Sequence, residues 1–401
     1  MSRTKAVAGT NLEQARSHNR RVVIEAVRVN GALSRAAIAR LTALTTQTVS
    51  NIVEELEKAE LLRPEPTQKG TRGQPAVPYS INPDGGYSIG MQLDHQLLVG
   101  VVTDLSGTVR SRIEQPVDRP TPHEAMPALA AMPKDLMCRF RFDENRLLGI
   151  GMAMPGPFGV EGMTSVGPTA LPGWQDFPLA SELARLTDID VTVENDATAA
   201  AIGERLYGVA RNLNNFVYLF IGTGMGAGLF LDGHLYKGSR HNAGEIGHMV
   251  VKPQGLECGC GKRGCLERYV SLRAAYESLA LPDPDHASPE LLERLLAQGD
   301  SRIEAWIADA AEPLRQAINV LELALDPETV VLGGSMPLSI IARLADQLEP
   351  LPLSVSTLGE RAVPRVVIGS AGKDTSVLGA AALPIFGETN PQFDVLQKPF
   401  G

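Results

Sequence analysis

The chain has 401 residues, 44% of them apolar, and a formal net charge of −9, enough for two or three domains with buried cores. It has no uninterrupted apolar run of bilayer length. The N-terminus, "MSRTKAVAGTNLEQARSHNRR", lacks the apolar stretch of a signal peptide, so the expectation is a cytoplasmic protein with no membrane partner. Of 37 Lys/Arg and 46 Asp/Glu, residues 1–82 hold 12 and 7, leaving 25 and 39 for the rest; a basic head on an acidic body points the head toward nucleic acid.

In chain order, the first elements read as helices: "RRVVIEAVRVNG", "SRAAIARLTAL" and "TTQTVSNIVEELEKAELL". Ser34 and Thr45 or Thr46 suit N-caps, and Gly31 suits a helix stop. Ala37, Ile38, Leu41, Val49, Ile52 and Leu56 have the spacing to pack two helices across a short turn. The second helix then presents Thr46, Gln47, Thr48, Ser50 and Asn51, short hydrogen-bonding side chains at a helix N-terminus that suit base edges and phosphates. With Arg35, and with Lys69 and Arg72 in the wing-like "QKGTRGQP", they form the candidate interface of a winged helix-turn-helix. An ordinary helical bundle with a polar face is the competing reading.

After the Pro/Gly-rich linker, strands alternate with helices from Tyr87, the pattern of an α/β domain. Strand candidates are "RLLGIGMAM", "DVTVEND", "NFVYLFIGTG", "AGLFLDG", "ETVVLGG" and "RVVIGS"; helix candidates are "PLASELARL", "ATAAAIGERLYG", "SLRAAYESLA" and "RIEAWIADAAEPLRQAINVLELAL". Two hairpins, near Ile89–Asp104 and Phe216–Gly233, suggest two related lobes. The glycine-rich turn of "FIGTGMGAGLFLDG" runs on into a strand, so a dinucleotide fold, which needs a helix there, is excluded. The first hairpin instead carries Asp94-His95-Gln96 at its tip, bulk and charge where a phosphate would need space.

Cys258, Cys260 and Cys265 stand in C-x-C-x4-C spacing, with His248 ten residues before the first. A Cys3His set with no open position is the pattern of structural zinc, and glycines between the thiols let the backbone wrap the ion. Glu245 and Glu267 flank the cluster as sugar-hydroxyl ligands or as solvated surface groups. Cys138 reads as a buried core thiol, Trp174 as a packing residue, and Asp196 as a helix N-cap.

"ExGH" at Glu245–His248 followed by "CGCGKRGCLE", together with "VENDATAAAIGE", "IGTGMGAG" and "VVLGGS", resembles the signature of the ROK family over nearly the whole chain. The resemblance implies a winged helix-turn-helix over residues 1–82 with its linker, and a two-lobed body of the actin-like ATPase (ribonuclease H-like) fold. The first lobe would comprise residues 83–196 with 375–401, and the second, bearing the zinc, residues 197–374. It further implies sugar contacts at Asn195, Asp196, Glu245, His248 and Glu267, with Asp196 as the base in a kinase. The family's first phosphate hairpin, Asp-x-Gly-Gly-Thr, falls on Gln92, Asp94, His95 and Gln96, a poor place for magnesium and triphosphate. The sugar-contacting Asn of its "PNLPGW" falls on Ala170. The expectation is therefore a sugar-responsive regulator, in sense a repressor, without kinase activity. It would bind double-stranded operator DNA and a sugar or sugar-phosphate effector, as a homodimer or homotetramer. An active or bifunctional ATP-dependent sugar kinase is the alternative.

Overall fold

The computed structural model describes residues 12–66, 76–156, 171–239, 241–281, 283–284, 286–355 and 361–389. The head opens with α1 (Leu12–Asn30), which stops at Gly31 in the left-handed region, φ +76°. The short strand β1 (Leu33–Ser34) leads to α2 (Arg35–Thr42) and α3 (Thr46–Lys58); Ser34 and Thr45 cap these helices by accepting from Ala37 N and Thr48 N. Val23, Val27, Ile38, Val49, Val53 and Leu56 close a small core among the three helices. Leu41 does not join it: the last turn of α2 points it outward, 57% exposed. The strands β2 (Leu62–Pro64) and β3 (Pro78–Ile81) pair antiparallel, and β1 pairs with the other edge of β3. Residues 67–75, with Lys69 and Arg72, lie outside the described residues.

The body repeats one architecture twice. In the first sheet β4 (Tyr87–Leu93), β5 (Leu97–Asp104) and β6 (Val109–Pro116) form an antiparallel meander. The helix α4 (Pro122–Arg139) then crosses to β7 (Leu147–Met154), α5 (Leu179–Thr187) follows, and β8 (Val191–Asn195) completes the order β6-β5-β4-β7-β8. The strands β7 and β8 run parallel to β4, so this half needs helical crossovers. The helix α6 (Asp196–Tyr207) leads into the second sheet. There β9 (Phe216–Ile221), β10 (Met225–Leu231) and β11 (His234–Leu235) form the meander. The helices α7 (Leu272–Ser278), α8 (Pro289–Ala297) and α9 (Ser301–Leu325) precede β12 (Thr329–Gly333), and α10 (Leu338–Gln347) precedes β13 (Val366–Ile368). The order β11-β10-β9-β12-β13 is that of the first sheet. The final helix, α11 (Thr375–Thr389), returns to pack on β4 and β7.

Between the sheets α6 crosses α11, and glycine makes the crossing possible: a Cβ at Gly379 would stand 2.1 Å from the Ala199 carbonyl oxygen. Two sequence expectations fail in the body. Cys138 is exposed near the end of α4, not buried, because Leu129, Met132 and Leu136 take that helix's inward face. Asp196 is not the N-cap of α6; Asn195 is, its Oδ1 accepting from Thr198 N at 2.6 Å. Trp174 is buried as expected, donating Nε1–H to the Pro120 carbonyl and stacking edge-on against Phe177.

Candidate functional site

The two related hairpins face a cleft of about 650 Å³ lined from both lobes, with Gln92, Asp94 and His95 on one wall and Thr223, Tyr276 and Ser335 on the other. At the β4–β5 tip, Asp94 Oδ1 accepts from His95 N at 2.6 Å and from His95 Nδ1 at 2.7 Å. Burial alone would raise the Asp94 carboxyl, but the hydrogen bonds and charge of His95 outweigh it and hold it below its ordinary value. The tip is pinned from outside by Arg119 N donating to His95 O and Val117 N to Gln96 O. At the β9–β10 tip the chain turns through Gly222-Thr223-Gly224, closed by Gly222 N donating to Gly224 O at 2.9 Å. One tip is filled by side chains, and the other is bare backbone.

At Asn195–Asp196 β8 becomes α6. Asn195 spends its side-chain oxygen on the cap, and Asp196 accepts from the next amide, Ala197 N, at 2.8 Å. Burial, followed by the negative charge of Asp94, pushes the Asp196 carboxyl up to about 7. Glu245 is also raised, by burial first and then by Glu267, with His248 opposing. The loop that carries Glu245 lies under β10, where Ala227 N donates to Gly244 O at 2.8 Å. Gly244, at φ +100°, admits no side chain there, since a Cβ would stand 1.9 Å from the Ala227 oxygen.

His248, Cys258, Cys260 and Cys265 bring their donor atoms within 4.8 Å of one another. Cys260 Sγ and Cys265 Sγ lie 3.6 Å apart, and Cys258 Sγ lies 3.6 Å from His248 Nδ1. These separations suit donors sharing one tetrahedral ion at about 2.0–2.3 Å each, so the set could hold a metal. His248 turns Nδ1 to the thiols and leaves Nε2 toward Glu245, 4.0 Å away. Glu267 Oε1 accepts from the Cys258 thiol at 3.0 Å and lies 3.3 Å from His248 Nδ1. The structure thus brings Asp196, Glu245, His248 and Glu267 around one site, with Asn195 at its edge. Ala170 lies outside the described residues.

In the head Thr46, Gln47 and Asn51 are exposed, Thr48 and Ser50 partly so, all from the first turns of α3. Gln47 Nε2 donates to Asn51 Oδ1 at 2.9 Å, and the Thr45 and Thr48 hydroxyls lie 2.8 Å apart. Arg35 is partly exposed and donates to the Tyr79 hydroxyl at 3.0 Å, lying over that ring.

Two functional candidates escaped the sequence reading. Arg28 of α1 is 8% exposed; its Nη1 donates to the Leu206 carbonyl at the end of α6, and its Nη2 pairs with Glu25 at 2.8 Å. Glu25 also pairs with Arg205, and Arg211 donates to the Arg28 carbonyl. Glu204, 1% exposed, accepts from the backbone amides of Val209, Ser370 and Ala371, tying α6 to the loop before α11. An arginine among "VVIEAVRV" and a glutamate ending "ATAAAIG" were the available signals, each a charge on an otherwise apolar helix face. Among the described residues no helix is long and apolar enough to cross a membrane.

The ROK family model matches residues 89–385. The chain is 32% identical over 261 residues to a xylose repressor of Bacillus spizizenii, which covers 65% of this chain and 67% of that one. It is also 33% identical over 177 residues to an N-acetylmannosamine kinase of Haemophilus influenzae, covering 44% and 59%. Among solved structures, a ROK family transcriptional regulator described as a homolog of the E. coli MLC protein superposes with a TM-score of 0.73 at 23% identity, over 96% of this chain and all of that one.

Proposed function

The chain belongs to the ROK family, and we propose that within it this protein is a sugar-responsive, DNA-binding transcriptional repressor whose body binds its effector without turning it over. One observation carries the reading: a winged helix-turn-helix head stands on a kinase-type body whose first phosphate hairpin is plugged by Asp94 and His95. Phosphoryl transfer depends on positioning and charge neutralisation, and an ionised Asp94 with no carboxylate at Gln92 for magnesium opposes both.

The roles follow from the geometry. Asp196, Glu245, His248 and Glu267, with the Asn195 amide, would hold ring hydroxyls by directed hydrogen bonds, the means by which a site rejects a sugar lacking one of them. With its carboxyl near 7, Asp196 is partly protonated at neutral pH and can donate as well as accept. Zinc would be the ion of the Cys3His set, held by His248, Cys258, Cys260 and Cys265. Its part is structural: it supplies four fixed bonds that set the loop and aim His248 Nε2.

The signal would travel along α6. This helix begins at Asp196 in the site and reaches, about 15 Å away by helical rise, Arg205 and Leu206 in its last turn, where Arg28 and Glu25 grip it. Closure of the lobes on a sugar tilts α6, and α1 moves the head relative to its partner's head in a dimer or tetramer. Arg35, Thr46, Gln47, Thr48, Ser50 and Asn51, with Lys69 and Arg72 in the wing, would contact double-stranded operator DNA. Residues 1–82, 83–196 with 375–401, and 197–374 are the units that move.

Gel-shift binding to the DNA upstream of its own operon, across a panel of sugars with xylose first, tests the reading. Release by one sugar supports it; indifference to all of them refutes it. A second reading, an active sugar kinase, draws on Asp196, whose elevated carboxyl is poised as a general base. Magnesium-dependent ATP consumption abolished by Asp196→Asn would establish that reading instead.

A further inference from the structure

The plug in the first hairpin does more than block a triphosphate. His95 is 6% exposed and lines the cleft, yet its Nε2 has no hydrogen-bond partner; Tyr276 across the cleft is 5% exposed, and its hydroxyl has none either. Two unpaired buried polar atoms on facing walls of one cleft are costly unless a ligand satisfies them. Their chemistry says what kind. Asp94 is held ionised, so it can only accept, and His95 Nδ1 must carry the proton between them. With Nδ1 committed to Asp94, Nε2 is the ring atom left to meet a ligand, and the Tyr276 hydroxyl can donate or accept. A single ligand hydroxyl, which both donates and accepts, completes the pair.

Charge narrows the class further. Asp94 lines the cleft and acts electrostatically on Asp196 and on Tyr276, so one carboxylate bears on both the cleft wall and the group proposed to hold the sugar. Asp196, Glu245 and Glu267 add three more carboxyl groups near it, whereas the Arg112 and Arg273 guanidinium groups of the cleft wall are held in ion pairs. Arg112 pairs with Glu114 and Asp374, Arg273 with Glu277, and the Lys373 charge bears on Glu114 and Glu290. A phosphate ester would meet carboxylates and no uncommitted guanidinium among these groups.

We propose that Asp94, His95 and Tyr276 form a specificity element that selects an unphosphorylated monosaccharide, with His95 Nε2 and the Tyr276 hydroxyl reading one hydroxyl and Asp94 excluding the phosphate ester. This rests on the sensor reading and names its effector class. Asp94 has a double role in it: it fixes the imidazole tautomer and supplies the repulsion. The residues that replaced a phosphate loop have become a reader of the hydroxyl that a kinase would phosphorylate.

The test is calorimetric titration of the full-length, zinc-loaded protein with xylose, glucose and N-acetylglucosamine, and with glucose 6-phosphate and N-acetylglucosamine 6-phosphate. Operator release is read in parallel. The expected result is that a free sugar binds at least about tenfold more tightly than any ester, the scale of one buried hydrogen bond or one close like charge. His95→Ala and Tyr276→Phe should each weaken that sugar about tenfold, and Asp94→Asn should narrow the gap between free sugar and ester. Tyr276→Phe keeps the ring and its packing, so it guards against a His95→Ala variant that misfolds. An ester that binds as tightly as its free sugar and releases DNA overturns the proposal while leaving the sensor intact. Free-sugar affinity unchanged in both His95→Ala and Tyr276→Phe also overturns it. Failure of every compound to bind the wild-type protein overturns this proposal and the sensor reading together.

Discussion

The two hairpins of the body are the same device in two conditions. The β9–β10 tip, Gly222-Thr223-Gly224, keeps its backbone bare, and the loop of the Cys3His set lies beneath β10, joined through Ala227 N and Gly244 O. The β4–β5 tip is also braced from outside, by Arg119 N and Val117 N, but it adds struts of its own, with Asp94 bonded to both the amide and the ring of His95. A turn that must leave room for a ligand cannot use its own side chains as struts. A turn that has given up that room can. Side-chain struts at one tip and bare backbone at the other are the difference between the two hairpins.

The largest break in that comparison should come from the metal set. Stripping the ion, or Cys265→Ser, should lower the melting temperature by roughly 10 °C, several kcal/mol for a body of this size. Hydrogen exchange should then quicken at β9–β10 and hold steady at β4–β5. Equal loosening of both hairpins would mean that the loop does not brace one of them selectively.

Second in size is Arg28→Ala. It takes one of the two cations from the partly buried Glu25 and removes the bond from α1 to the Leu206 carbonyl of α6, at a cost of about 2–3 kcal/mol. Sugar should still bind the variant, but DNA release should no longer follow; release at the wild-type sugar concentration would show that α6 is not the route.

Next is Asp196→Asn, which tests whether the filled tip presses its charge onto the site. The folded carboxyl titrates near 7 against an ordinary value near 3.8. Between those values the folded protein keeps a proton that the unfolded chain releases, so wild-type stability falls as pH rises through that window. Asparagine has no such dependence. The variant should be more stable than wild type near pH 8 and converge with it near pH 4. Parallel pH profiles in chemical denaturation would show that Asp196 is not strained.

The smallest effect should come from rebuilding the lost tip. Gln92→Asp with Asp94→Gly, His95→Gly and Gln96→Thr should raise magnesium-nucleotide affinity about tenfold, or about 1.4 kcal/mol, by fluorescent-nucleotide titration. Tight nucleotide binding by the unaltered chain would erase the distinction between the hairpins.

Both hairpins were legible in the sequence because each arm is a dense apolar run ending at polar or glycine residues, and pairing along one chain is local. The thiol cluster was legible because metal chemistry demands particular atoms at short spacing. The helix α4 was not, since Pro127 and Pro133 interrupt its pattern; its outward-facing Cys138 was misplaced for the same reason. The helix α11 also escaped, being apolar on all sides because it is wedged against α6 and the first sheet, which leaves no periodicity to read. At β8–α6 the fold decided what propensity left open: Asn195 and Asp196 are both good caps, and Asn195 took the position. The grip of Arg28 on Leu206 joins residues 178 apart, and no local pattern announces a partner so distant.

That grip has an evolutionary corollary. Arg28 seizes a main-chain carbonyl, and Arg211 in return seizes the main-chain carbonyl of Arg28. Peptide groups are the one part of a protein that mutation leaves in place, so this joint tolerates drift in the residues around it. Either contact therefore depends on one arginine and on no particular side chain at its other end.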